Sequence, residues 1–207
     1  MPNKLKILIV DDHAIVRIGL ASILGTKKNL KIVGEADCGE TAIRIAPQVK
    51  PDVILMDMML SGIDGAKATA EIHRLLPDAK ILILTSYGTS NGIAHALKAG
   101  ASGALLKTVQ YPILVDAILR LAAGEKVIDP EISRQLRKDP PVPELTDRQT
   151  QILTAMMQGM TDSDIAKTIG LSQNGVREHI TNIFNKLCAA NRAEAIAIAM
   201  RKHLLKI

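Results

Sequence analysis

Five short apolar runs, each followed by an amphipathic stretch, fill the first 125 residues of this 207-residue chain and constrain its fold more than any other feature. The runs are Leu5–Val10, Lys31–Ala36, Val53–Met56, Ile81–Leu84 and Ala104–Leu106. Several are apolar at almost every position, as expected of parallel strands covered on both faces. Helical periodicity follows them near 13–25, 40–47, 64–76, 90–99 and 111–123, with Pro47, Pro51, Pro77, Gly100 and Gly124 marking ends. Five strand–helix units predict a doubly wound, five-stranded parallel α/β sheet. The rhythm stops at Pro140, Pro141 and Pro143, which cannot continue a helix and favour an extended connection. The chain therefore reads as an α/β domain over 1–125, a linker over 126–144 and a small all-α domain over 145–207.

Composition narrows the function classes. Tyr87, Tyr111 and Phe184 are the whole aromatic set, which argues against base stacking as a way of holding single-stranded nucleic acid. The net charge of +5 divides unevenly. Residues 1–130 carry 15 Lys/Arg against 13 Asp/Glu, and residues 131–207 carry 11 against 8. The C-terminal part is the more basic per residue, which suits a polyanion without requiring one. Cys38 and Cys188 fit no metal or redox spacing. No secretory leader and no run of roughly 18 apolar residues is present, so the expectation is a cytoplasmic protein with reduced thiols and no membrane partner.

In an open α/β sheet, ligands bind beyond the carboxyl ends of the strands. Asp11 and Asp12 end the first apolar run, Asp57 the third, Thr85 the fourth and Lys107 the fifth. One acid at one strand end carries no information; three acids, a hydroxyl and a lysine at four such ends form a constellation. Clustered carboxylates repel unless a cation sits among them, and hard oxygen ligands suit Mg2+. A carboxylate can attack phosphorus, and a metal and an ammonium can neutralise the transferring group. His13 reads as a first-turn helix residue and not as a metal ligand.

These residues carry a family pattern. Ile9-Val10-Asp11-Asp12-His13, Leu55-Met56-Asp57 ahead of Gly62-Ile63-Asp64-Gly65, Leu84-Thr85, and Leu105-Leu106-Lys107 resemble a response-regulator receiver, a flavodoxin-like fold, over about residues 4–124. The resemblance implies that Asp57 is the phosphoacceptor, served by a sensor histidine kinase. It implies that Asp11, Asp12, Asp57 and the carbonyl of Met59 hold Mg2+, and that Thr85 and Lys107 contact the phosphoryl oxygens. Three departures stand out: Ser61 where most receivers have Pro, Ser86 where a small residue such as Ala is usual, and Ala104 in place of the aromatic switch residue. By the same resemblance Met59 and Tyr87 flank the path of attacking water, and neither is a strong base or carboxamide, so slow autodephosphorylation is expected; the alternative is that Tyr87 simply covers exposed backbone.

Beyond the prolines, Thr146 and Gln149 have the spacing of a capping box, and Ile152, Leu153, Ala155 and Met156 give an apolar helical face. Thr161 is placed to cap a short helix from Asp162 to about Ile169, Gly170 to turn it, and Ser172 to cap a longer one to about Leu187. Spacing alone fits a helix-turn-helix and a plain helical hairpin equally. The segments Leu145-Thr146-x-Arg148-Gln149, Asp164-Ile165-Ala166, Leu171-Ser172 and Val176-Arg177-x-His179-Ile180-x-Asn182-Ile183 resemble a LuxR-type DNA-binding domain over about 144–205. With the receiver, the whole chain is similar to a NarL/FixJ-type response regulator. That resemblance puts the long helix in the major groove of double-stranded DNA, with Arg177, Glu178, Thr181 and Asn182 towards the bases and Ser172 and Lys186 towards the backbone. It also implies a homodimer on an inverted repeat, paired through a last helix (Ala193 to Leu205) bearing Ala195, Ile196, Ala199 and Met200. Gly175 near the start of the long helix suggests late initiation or fraying. An aspartyl phosphatase would carry a second acid two residues after the nucleophile, where Met59 stands. A receiver acting without phosphorylation is the remaining alternative, and Ala104 and Ser61 keep it open.

Overall fold

The computed structural model describes residues 4–86, 90–202 and 204. The N-terminal unit, ending at Pro140, alternates strand and helix. Its elements are β1 (Leu5–Val10), α1 (Ala14–Gly25), β2 (Leu30–Ala36), α2 (Gly39–Val49), β3 (Val53–Asp57), α3 (Gly65–Leu75), β4 (Lys80–Thr85), α4 (Ser90–Lys98), β5 (Gly103–Leu106), α5 (Tyr111–Ala122), β6 (Val127–Ile128) and α6 (Pro130–Lys138). All strand pairs are parallel, in the order β2-β1-β3-β4-β5-β6.

Side chains alternate across each strand, so one sheet feeds two cores. Ile7, Ile9, Val53, Leu55, Leu82, Leu84 and Leu105 pack with Leu24 of α1 and Leu114, Ile118 and Leu121 of α5. Their neighbours Leu8, Val10, Ile54, Met56, Ile81, Ile83 and Ala104 pack on the other face with α2, α3, α4 and Ile132 of α6. Burial on both faces is the reason these runs are apolar at nearly every position.

The sheet has six strands, not the expected five. Val127 and Ile128 pair with Gly103 and Ala104. The pairing is close because Gly103 lacks a Cβ: one placed there would lie 2.4 Å from the Val127 carbonyl oxygen. The stretch expected as linker over 126–144 thus holds a strand and a helix in its first part, and the chain divides between Pro140 and Pro141.

The second unit is helical: α7 (Asp147–Met157), α8 (Asp162–Ile169), α9 (Gln173–Leu187) and α10 (Arg192–Arg201). Thr146 and Gln149 form the reciprocal capping box their spacing predicts, and Thr161 and Asp164 form a second. Gly170 ends α8 in the left-handed region, at φ 67°, and Ser172 caps α9 by accepting from the Gly175 amide. Ile152, Leu153, Met156, Ile165, Val176, Ile180, Ile183, Leu187, Ala195 and Ala199 form one buried core. Among the described residues no helix is long and apolar enough to cross a membrane.

Candidate functional site

Parallel strands in register deliver their carboxyl ends to one edge of the sheet. Asp11 follows β1, Asp57 closes β3, Thr85 closes β4 and Lys107 follows β5. Backbone bonds fix the neighbouring ends: the Asp11 amide donates to Ala36 (3.1 Å) and the Lys107 amide to Thr85 (2.8 Å). Asp57 is held by close backbone packing as well, since a Cβ at Gly65 would sit 2.2 Å from its carbonyl oxygen. Asp11 and Asp57 are only 2% and 3% exposed, and Thr85 is fully buried.

Lys107 ties the pocket together. Its Nζ lies 2.5 Å from Asp11 Oδ2 and 2.8 Å from Asp57 Oδ2. The Met59 amide donates to Asp57 Oδ1 at 3.3 Å, so each oxygen of that carboxylate has a partner. Burial pushes the Asp57 carboxyl above its ordinary range, with the Asp11 charge adding to the rise and Lys107 and the Met59 amide opposing it. Burial alone would lower the Lys107 ammonium, but its bonds to the two carboxylates leave it raised. The Thr85 hydroxyl is buried with no hydrogen-bond partner among the described residues. A buried, unsatisfied hydroxyl at this edge costs stability and is primed to bond an arriving oxygen.

Asp11, Asp12, His13 and Asp57 bring one ligand atom each within 4.8 Å of the others. Asp12, on the rim, presents a buried Oδ1 without a hydrogen bond, with the His13 Nδ1 2.8 Å away. The three carboxylates among these four residues fit a hard divalent cation. His13 precedes α1 as its N-cap residue, and its place beside the acids was not legible from helical periodicity. Met59 is 69% exposed. Ser61 and Ser86 are exposed, and Ala104 is fully buried. Tyr87 lies outside the described residues.

The second candidate surface is α9. Val176, Ile180, Ile183 and Leu187 are buried, which turns Arg177, Glu178, Thr181 and Asn182 outward, all exposed. The Arg177 Nε lies 3.9 Å from Asp162 on α8, and the Thr181 hydroxyl donates to the Arg177 carbonyl (3.0 Å). Ser172 spends an oxygen lone pair on its cap, leaving its proton for an outside acceptor. Lys186 is engaged inside the domain: its ammonium donates to the Glu144 carbonyl (2.6 Å) and to Gln149 Oε1 (2.9 Å). Gly175 does not delay the helix, which starts at Gln173 because Ser172 satisfies its first turn. On α10, Ala195 and Ala199 face their own core, leaving Ala193, Ala197 and Met200 exposed.

Comparison with known proteins follows the same division. The family described as response regulator receiver domain matches residues 7–119, and that described as bacterial regulatory proteins, luxR family, matches residues 143–199. Response regulator protein VraR of Staphylococcus aureus is 35% identical, over 98% of this chain and 99% of its own length. The crystal structure of response regulator ChrA, of a heme-sensing two-component system, is similar with a TM-score of 0.59 at 32% identity, covering 98% of this chain and 100% of ChrA. A complex of the response regulator RcsB with DNA gives a TM-score of 0.65, covering 96% of this chain and 98% of RcsB; at 24% identity that likeness is one of fold.

Proposed function

This chain belongs to the response regulators that join a receiver to a LuxR-type helix-turn-helix domain, and from that membership we propose that phosphorylation of Asp57 governs its binding to double-stranded DNA. The observation that carries the proposal is the pocket itself: a buried carboxylate held by Lys107, beside a second buried acid and an unsatisfied threonine hydroxyl.

The phosphoryl donor is a histidine kinase or a small acyl phosphate. An Asp57 oxygen attacks phosphorus, the bond from phosphorus to the donor atom breaks, and the leaving group departs with its electron pair. Asp11, Asp12, Asp57 and the Met59 carbonyl are the residues that would hold Mg2+, which when bound neutralises charge on the phosphoryl oxygens. Lys107 contributes a second positive charge there, and Thr85 turns its hydroxyl to a phosphoryl oxygen. Neither Met59 nor Tyr87 supplies a base for water, so the acyl phosphate persists. The added charge shifts a receiver equilibrium between two states.

The output is transcriptional regulation. Arg177, Glu178, Thr181 and Asn182 meet base edges in the major groove, and Ser172 meets the phosphate backbone with whatever donor capacity Lys186 keeps. Two copies bind an inverted repeat, with the exposed Ala193, Ala197 and Met200 face of α10 available to pair them. Incubation with acetyl phosphate and Mg2+, read on a phosphate-affinity gel, tests the first step. A retarded band that vanishes in Asp57→Asn is expected; a band that survives the substitution would place the phosphoryl group elsewhere.

A further inference from the structure

Ala104 leaves the family's switch position without a ring, and the structure places something else on that side of the sheet. β6 pairs with β5, and the Asp129 amide continues the pairing with a 2.8 Å bond to the Ala104 carbonyl. Asp129 caps α6 by accepting from the Glu131 amide. From α6, Ile132 is buried completely in the cluster that holds Ala104, Ile83, Ile93 and Ala96, with Leu136 packed against it. At its far end, Asp139 Oδ2 accepts a 2.7 Å bond from the Ser90 hydroxyl. Ser90 is the first residue of α4, almost wholly buried, and stands five residues after Thr85. Asp139 stands immediately before the Pro140-Pro141 boundary.

We infer that the Ser90–Asp139 bond is a releasable tie through which phosphorylation of the receiver frees α6, in the role that a switch ring takes in other receivers. The inference rests on the phosphoacceptor reading of Asp57. When the Thr85 hydroxyl turns to a phosphoryl oxygen, the end of β4 moves towards Asp57 and draws the start of α4 with it. Ser90 is displaced from Asp139, while the rest of α4 stays anchored by Ile93 and Ala96. Ile132 is the fully buried residue of α6 and Leu136 packs beside it, while the bond from Ser90 holds its C-terminal end. For a short, mostly polar helix, the loss of one buried hydrogen bond changes the docked population measurably. Release adds the nine residues of α6 to the connection leading to the DNA-binding unit.

Hydrogen–deuterium exchange of the full chain tests this, with and without acetyl phosphate and Mg2+, alongside a phosphate-affinity gel of the same samples. Phosphorylation is expected to quicken amide exchange over residues 130–139 by roughly 2- to 10-fold, the range one buried hydrogen bond supplies. Ser90→Ala and Asp139→Ala should exchange fast there without the phosphodonor and show a much smaller further rise with it. Asp57→Asn should stay slow under both conditions. A full phosphorylated band with unchanged exchange over 130–139 overturns the tie and leaves the phosphoacceptor intact. The tie is equally overturned if both variants keep the normal phosphorylation-dependent rise. No phosphorylated band in the wild type overturns the phosphoacceptor reading, and the tie falls with it.

Discussion

A buried carboxylate is held against its own preference for water. Asp57 has its carboxyl raised above the ordinary 3.8, chiefly by burial. The folded state therefore holds that proton more tightly than the unfolded state does. Any stability the protonated form confers is present at low pH and is lost as pH rises from the ordinary value through the raised one. Asp57→Asn removes this loss while leaving the Lys107–Asp11 pair. In metal-free buffer the variant should melt at a higher temperature than the wild type at pH 7, and the gap should close as pH falls towards 3.8. A variant that melts lower at pH 7 would mean the Lys107 bond outweighs burial. The pocket's membership was legible residue by residue, because parallel strands can only bring Asp11, Asp57, Thr85 and Lys107 to one edge. The bridging of both acids by Lys107 was not, since that depends on where a long, flexible side chain settles. Lys186 behaves in the same way: its position on α9 follows from periodicity, but its partners Glu144 and Gln149 stand 42 and 37 residues away.

At the scale of elements, caps and turns were readable and edges were not. Thr146, Thr161, Ser172 and Gly170 act where their chemistry predicts, because capping is a local contest for the first and last amides and carbonyls. Helix α2 runs two residues past Pro47 to Val49, stopping only where Lys50 turns left-handed at φ 47°. β6 escaped because two residues carry no periodicity, and α6 because its one buried side chain leaves a mostly polar helix. Gly103 is what admits β6, so Gly103→Val should force the two strands apart. The expected signature is faster amide exchange at Val127 and Asp129 with the remaining strands still protected; unchanged protection there would show that the sheet absorbs the side chain. Gly175 offers the opposite case. A Cβ there meets only the movable Ser172 hydroxyl, at 3.3 Å. Gly175→Ala should therefore stabilise the second unit by about 0.5–1 kcal/mol, the usual helical penalty of glycine. Chemical denaturation of the full chain, followed by circular dichroism, reads this directly, and a destabilised variant would mean the cap cannot yield.

For the whole molecule, the sequence divides into two units whose cores share no residue: one sheet covered on both faces, and one bundle of four helices. The division was visible in the change from alternating to purely helical periodicity, although its position was not, because β6 and α6 extend the first unit to Pro140. Coupling between two such units is a free energy, typically equivalent to a 5- to 150-fold change in affinity. The most direct test uses a duplex selected from a randomised library by the chain itself. Its affinity for wild type and for Asp57→Asn is measured at fixed salt, with and without acetyl phosphate and Mg2+. The phosphodonor should change wild-type affinity by at least about 5-fold and leave Asp57→Asn unmoved. Equal wild-type affinity in both states, with phosphorylation verified on the gel, would contradict control of DNA binding through Asp57 and leave a DNA-binding protein whose receiver signals by some other route.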